Sequence, residues 1–213
     1  MADSCCDTSA PHLEELRARH RGVLRAVLAI NLVFFVVEFA SGLWVGSSAL
    51  LGDSLDMLGD ALVYAASLYV VGRSALAQAR VAAAKGVVMA LLGAGVLADA
   101  VARVAGETAP ASAVVSAVGA LALAGNATCF ALLYRHRADN LNLRSTWLCS
   151  RNDLVANLAV IASAGAVALT GSPWPDALVG GGLAALWLRT SARVLREAWS
   201  ASRGASQLSV RPG

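Results

Sequence analysis

Residues 46–60 read Gly46-Ser-Ser-Ala-Leu-Leu-Gly-Asp53-Ser-Leu-Asp56-Met-Leu-Gly-Asp60. Small and apolar residues fill this stretch between its acids, and the apolar character continues to about Gly72. Such a segment suits the inside of a lipid bilayer, where a carboxylate is costly and needs water, a proton or a partner. Asp56 and Asp60 stand four residues apart. On a helix that spacing puts both on one face, with Cβ atoms about 5–6 Å apart. Cys149 and Asp153 repeat the spacing later in the chain. These two pairs decide both the fold expected and where its chemistry lies.

Outward from this stretch the chain remains apolar. It is 57% hydrophobic and 15% charged, with a mean hydropathy of +0.63. A soluble domain carries about 25% charged residues, and a membrane-spanning helix needs about 20 apolar ones. Six windows meet that length: 23–45, 48–72, 86–104, 111–134, 143–169 and 174–196. The expected fold is all-α, a polytopic membrane bundle of six transmembrane helices. Residues 1–22 form an N-terminal tail, 23–196 the transport domain and 197–213 a short C-terminal tail. No cleavable signal peptide is expected, because the first residues are polar and the first apolar run is too long for one.

Basic residues set the orientation. Arg17, Arg19, Arg21 and Arg25 precede the first span. Arg73, Arg80 and Lys85 follow the second, and Arg135, Arg137 and Arg144 follow the fourth. Arg189, Arg193, Arg196, Arg203 and Arg211 end the chain. Only Arg103 lies near the opposite side. The positive-inside rule then places both termini in the cytoplasm. The net charge of +3 reflects this asymmetry and does not imply a nucleic-acid partner. The four cysteines, two in the tail (Cys5, Cys6) and two in spans (Cys129, Cys149), form no disulfide framework. The outer connections are short: Gly46-Ser47, about 105–110, and Gly171-Ser172-Pro173. Trp44, Trp147, Trp174, Trp187 and Trp199 lie near predicted span ends and are expected as interfacial anchors.

Half of the fourteen acidic residues fall within spans: Glu38, Asp53, Asp56, Asp60, Asp99, Asp153 and Asp176. At 1.5 Å per residue, Asp56 lies about 12 Å and Asp60 about 18 Å from the outer end of span two. Measured from the inner end of span five, Cys149 lies about 10 Å in and Asp153 about 16 Å. Asp60 is then level with Cys149, and Asp56 with Asp153, near the middle of a core about 30 Å thick. Glu38, Asp53, Asp99 and Asp176 lie nearer the outer face, where together they would form a mouth attractive to cations. For Asp176 the competing reading is a helix N-terminal acid stabilised by the helix dipole. Asn157 extends the polar stripe of span five and can orient a carboxylate. Asn31 and Asn126 read as helix–helix hydrogen-bonding residues.

The second-span segment quoted above resembles the second helix of cation diffusion facilitator transporters. Asn31-Leu-Val-Phe-Phe-Val-Val-Glu38-Phe39 resembles their first helix. Asn140-Leu-Asn-Leu-Arg144, followed by Cys149-Ser-Arg-Asn-Asp153, resembles their entry into helix five. The likeness covers about residues 12–197. It implies a metal site made by Asp56 and Asp60 from helix two with Cys149 and Asp153 from helix five. It also implies export of a divalent transition metal from the cytoplasm in exchange for protons. Cysteine stands at Cys149 where the family usually has histidine. The chain also ends soon after the sixth span, so the family's cytoplasmic C-terminal domain is expected to be absent.

Three carboxylates and a thiolate match the four-ligand preference of Zn²⁺. The sulfur favours zinc or another thiophilic metal, such as cadmium, over Mg²⁺, Ca²⁺ and Mn²⁺. The metal is the transported substrate, and no prosthetic cofactor is expected. The partners are then metal, protons and the lipid bilayer, in the inner membrane of a bacterium, with homodimer formation left open. Cys5 and Cys6 can capture metal at the inner mouth or be incidental thiols in a tail. Two other classes compete with transport: an intramembrane metalloenzyme and a non-transporting metal-binding subunit. His12, His20 and His136 all lie at the cytoplasmic side, so no nucleophile has an adjacent histidine base within the spans.

Overall fold

A computed structural model describes residues 10–69, 75–134 and 141–208 of the chain. Six α-helices follow in order: α1 Ala10–Val45, α2 Ser48–Tyr69, α3 Ala75–Ala105, α4 Ser112–Tyr134, α5 Leu141–Thr170 and α6 Trp174–Leu208. Among the described residues there are no strands, so the all-α membrane bundle expected from the sequence is the fold observed. α1 begins well before Val23, α3 before Gly86, and α6 continues past Arg196. Polar helix ends thus extend the bundle beyond the apolar windows.

Parts of α1, α3, α4 and α5 are long and apolar enough to cross a membrane: 25–45, 79–105, 112–134 and 153–170. Among the described residues, α2 and α6 do not join these four. The reason in α2 is Asp53, Asp56 and Asp60; in α6 it is a polar start at Trp174-Pro175-Asp176 and the arginines from Arg189 onward. α2 does not need a lipid-facing surface, because it packs against α1, α3, α5 and α6. Residues 47–55 are all buried. At 1.5 Å per residue its 22 residues extend about 33 Å, enough to span the hydrocarbon core.

Large apolar side chains face outward, and several polar ones are buried within an otherwise apolar interior. Leu32, Val33, Val36, Leu91, Val155 and Leu186 are exposed, while Asn31, Glu38, Asp53, Asn126 and Asn157 are buried. That arrangement suits lipid as the solvent. Two apolar clusters meet around α2. One joins Leu51 and Leu55 to Met89, Val96, Ala184 and Trp187. The other joins Ala49 and Leu50 to Val115, Val160 and Ala164.

Three short turns close one end of the bundle. Gly46 and Gly171 adopt left-handed φ values of 72° and 65° after α1 and α5. This is the usual way to stop a helix without steric penalty. Asp176, at the start of α6, reaches across to the start of α2. Its carboxylate accepts hydrogen bonds from Ser47 Oγ, from Ser48 N at 2.6 Å and from Ala49 N at 3.2 Å. Asp176 therefore caps a neighbouring helix, where the sequence alone offers only its own. The same end holds Asp99, which pairs with Arg103 at 2.7 and 2.8 Å and accepts from Ser48 Oγ at 2.9 Å. Below it, α2 and α6 approach closely at Gly52 and Gly180. A Cβ on Gly180 would run into the Ser48 carbonyl.

Candidate metal site

α2 carries its three acids down the middle of the bundle. Asp53 is 1% exposed, and Asp56 and Asp60 are partly buried. Asp56 accepts a hydrogen bond from the indole nitrogen of Trp187 on α6. Gly59 makes this contact feasible, since a Cβ there would lie 3.1 Å from the Trp187 ring. Trp187 is only 5% exposed, so the sequence expectation of an interfacial anchor is corrected for this residue. A buried indole needs an acceptor, and Asp56 supplies one. Trp44, Trp174 and Trp199, in contrast, are exposed.

α5 faces α2 through Asn157. Its side-chain nitrogen donates to Asp53 Oδ1 at 3.4 Å and to the Asp153 main-chain carbonyl at 2.9 Å. The end of α5 joins the start of α6, whose Asp176 touches the start of α2, so α2 and α5 run in opposite directions. With Asn157 beside Asp53, one further turn inward brings Asp153 to the level of Asp56. α4 contributes Cys129, a buried free thiol. It accepts a 3.8 Å hydrogen bond from Asn31 Nδ2 of α1. Asp60 and Asp153 both lie within electrostatic reach of this one sulfur, and Asp60 within reach of Asp56. α2, α4 and α5 thus direct polar groups into a common interior region.

Cys149 lies one helical turn before Asp153 on α5, but its side chain is outside the described residues. Cys5 and Cys6, and the side chains of His12 and His20, also lie outside them. Among the described residues, no three His, Cys, Asp or Glu side chains come together as a metal cage. On the Asp56 side, one carboxylate oxygen is engaged by Trp187 of α6.

One turn toward the short-turn end lies a second tier. Glu38 of α1 is fully buried, and its carboxyl group is within hydrogen-bonding reach of Asp53. Asp99 and Asp176, expected with them at an outer mouth, are bound to Arg103 and to the α2 N-terminus. Sequence reasoning missed two neighbours of the acids: Trp187 at Asp56, and Cys129 near Asp60 and Asp153. The only sequence signals were a tryptophan in the interior of α6 and a cysteine in an Ala-rich span. Neither has a spacing motif that names its partner.

A family model for the cation efflux transmembrane domain matches residues 24–201. No curated protein matches the chain at a significant level. Members of the matched family are transporters of metal cations and not enzymes. The match takes in most of all six helices and well over half of the sequence, so this multi-pass membrane protein belongs to the cation efflux family.

Proposed function

We propose that the chain exports a divalent thiophilic metal, zinc or cadmium, in exchange for protons. Asp56, Asp60, Cys149 and Asp153 are the proposed ligands. The observation that carries this reading is the convergence of α2 and α5: Asp60 and Asp153, from different helices, share the surroundings of Cys129. On this reading Asp56, whose Oδ1 accepts from Trp187, turns toward α5 as the site closes. A tetrahedral zinc site takes sulfur at about 2.3 Å and carboxylate oxygen at about 2.0–2.2 Å.

Proton exchange uses the same groups. Ligands must be deprotonated to hold metal, so binding releases protons. Protons arriving from the other side compete for the carboxylates and eject the metal. Rocking of helices around the site would expose it alternately to the two faces. The direction proposed is outward from the cytoplasm, with both termini on the cytoplasmic side of a bacterial inner membrane.

Purified protein in proteoliposomes tests the site. Asp60→Ala and Asp153→Ala should each abolish zinc-driven proton release. Release at the wild-type rate in either variant would sink the assignment. A parallel Cys149→Ser series against zinc, cadmium and manganese tests the role given to sulfur. Selectivity should move away from cadmium when the thiol is lost.

A further inference from the structure

Glu38 and Asp53 meet across the α1–α2 hairpin. Glu38 lies eight residues before Gly46 and Asp53 six after Ser47, so at 1.5 Å per residue they sit about 12 and 9 Å below the turn. Both are essentially without solvent contact, at 0% and 1% exposure. Glu38 Oε1 and Oε2, Asp53 Oδ2 and the Asn157 side-chain oxygen have no hydrogen-bond partner. Asn157, fully buried, donates to Asp53 Oδ1 and to the Asp153 carbonyl. Its unpartnered oxygen adds an orphaned acceptor to those of the two acids. These buried acceptors without a donor call for a positive charge, because buried polar groups are otherwise satisfied.

We propose that Glu38 and Asp53 bind one shared proton in a site separate from the metal ligands, with Asn157 positioning Asp53. The inference rests on the proton exchange proposed above and adds a specific carrier to it. Two carboxylates within hydrogen-bonding reach have no donor to offer each other when both are ionised. One proton between them makes a carboxyl–carboxylate hydrogen bond and satisfies an oxygen on each side. A divalent metal is the poorer occupant: no third His, Cys, Asp or Glu among the described residues closes on the pair.

The charged surroundings give the pair its coupling. Asp56 lies one turn along α2, and Asp153 lies on α5 next to Asn157. Cys129 of α4 is nearer Asp60 and Asp153, and Trp187 of α6 is engaged with Asp56. Asp176 of α6 and the Asp99–Arg103 pair of α3 are tied off at the helix ends. A divalent cation arriving at Asp56 repels a proton one turn away. The O–H bond of the shared proton breaks, both carboxylates become ionised, and the proton leaves to solvent. Reloading from the opposite side reverses these events, with no oxidation or reduction.

The test measures protons released and zinc transported together in proteoliposomes of the full chain. Glu38→Gln and Asp53→Asn should each release one proton fewer per zinc than wild type, with zinc affinity retained. The Glu38→Asp variant should restore the lost proton. Infrared difference spectra supply a second readout: wild type should show a protonated-carboxyl band that disappears on zinc addition and is missing in Glu38→Gln. An unchanged proton-to-zinc ratio in Glu38→Gln, or a wild-type protein without the zinc-sensitive band, would overturn the proposal. If wild-type vesicles move zinc without moving protons, the exchange reading fails by itself. The infrared band then decides the pair: present and zinc-sensitive sustains it, absent overturns it.

Discussion

Asp176 and Asp53 are the same residue type, both 1% exposed, on adjoining helices, yet they differ in what surrounds them. Asp176 receives three donors from the start of α2. Asp53 has one amide donor at 3.4 Å, a second oxygen with no partner and an unsatisfied glutamate next to it. Burial therefore does not tell these two acids apart; the number of donors each receives does. An acid whose oxygens are filled by the fold holds helices together, and one whose oxygens are left open has room for a cation.

The largest effect should come from reversing that distinction at both places. Asp176→Ala leaves the Ser48 and Ala49 amides at the buried start of α2 without their acceptor. Losing a charge-assisted cap of this kind should cost about 3 kcal/mol, read as a lower unfolding midpoint in detergent. Glu38→Gln removes a buried carboxylate that has no donor, so stability should stay level or rise by about 1 kcal/mol. If both substitutions destabilise equally, donor count has no diagnostic value here.

Asp56 lies between these extremes, with one strong donor from Trp187. If metal binding must break that bond, Trp187→Phe should tighten zinc binding. A hydrogen bond to a charged group is worth about 1.5 kcal/mol, which corresponds to roughly a 10-fold lower Kd. Titration calorimetry on the detergent-solubilised protein measures it. Weaker binding would instead make Trp187 a residue that holds Asp56 in position for the metal.

The legibility of these features in the sequence follows the same division. Helices, the short turns at Gly46 and Gly171, and the interior acids are local properties, carried by hydropathy, glycine and spacing. The depth of each acid along its own helix was also readable, because rise per residue is constant. What each acid faces was not. Periodicity identifies a face of a helix and leaves its neighbour unnamed. Trp187 lies near the end of an apolar window, where interfacial tryptophans are common, yet α6 continues to Leu208 and puts it in the interior. Asp176 starts its own helix and caps another only because α2 and α6 close to glycine contact. Cys129 carries no motif, and its nearness to Asp60 and Asp153 arises from three helices meeting.

The smallest effect should come from Arg103→Gln, and its smallness is informative. The Asp99–Arg103 pair is an i,i+4 bridge with side chains 26% and 20% exposed, so solvent screens it and its loss should cost about 0.5 kcal/mol. Asp99 would keep the hydrogen bond from Ser48 Oγ that ties α3 to α2. Arg103 has a second attachment, because its guanidinium occupies the space a Cβ on Gly46 would need. A measured loss well above that of an exposed ion pair would therefore assign the arginine to holding the α1–α2 turn. Comparing Arg103→Gln with Asp99→Asn separates the alternatives. Equal small losses mean that the ion pair is the whole interaction. A larger loss for the arginine means that contact with the turn, which Asp99 does not make, is what stiffens this end of the bundle.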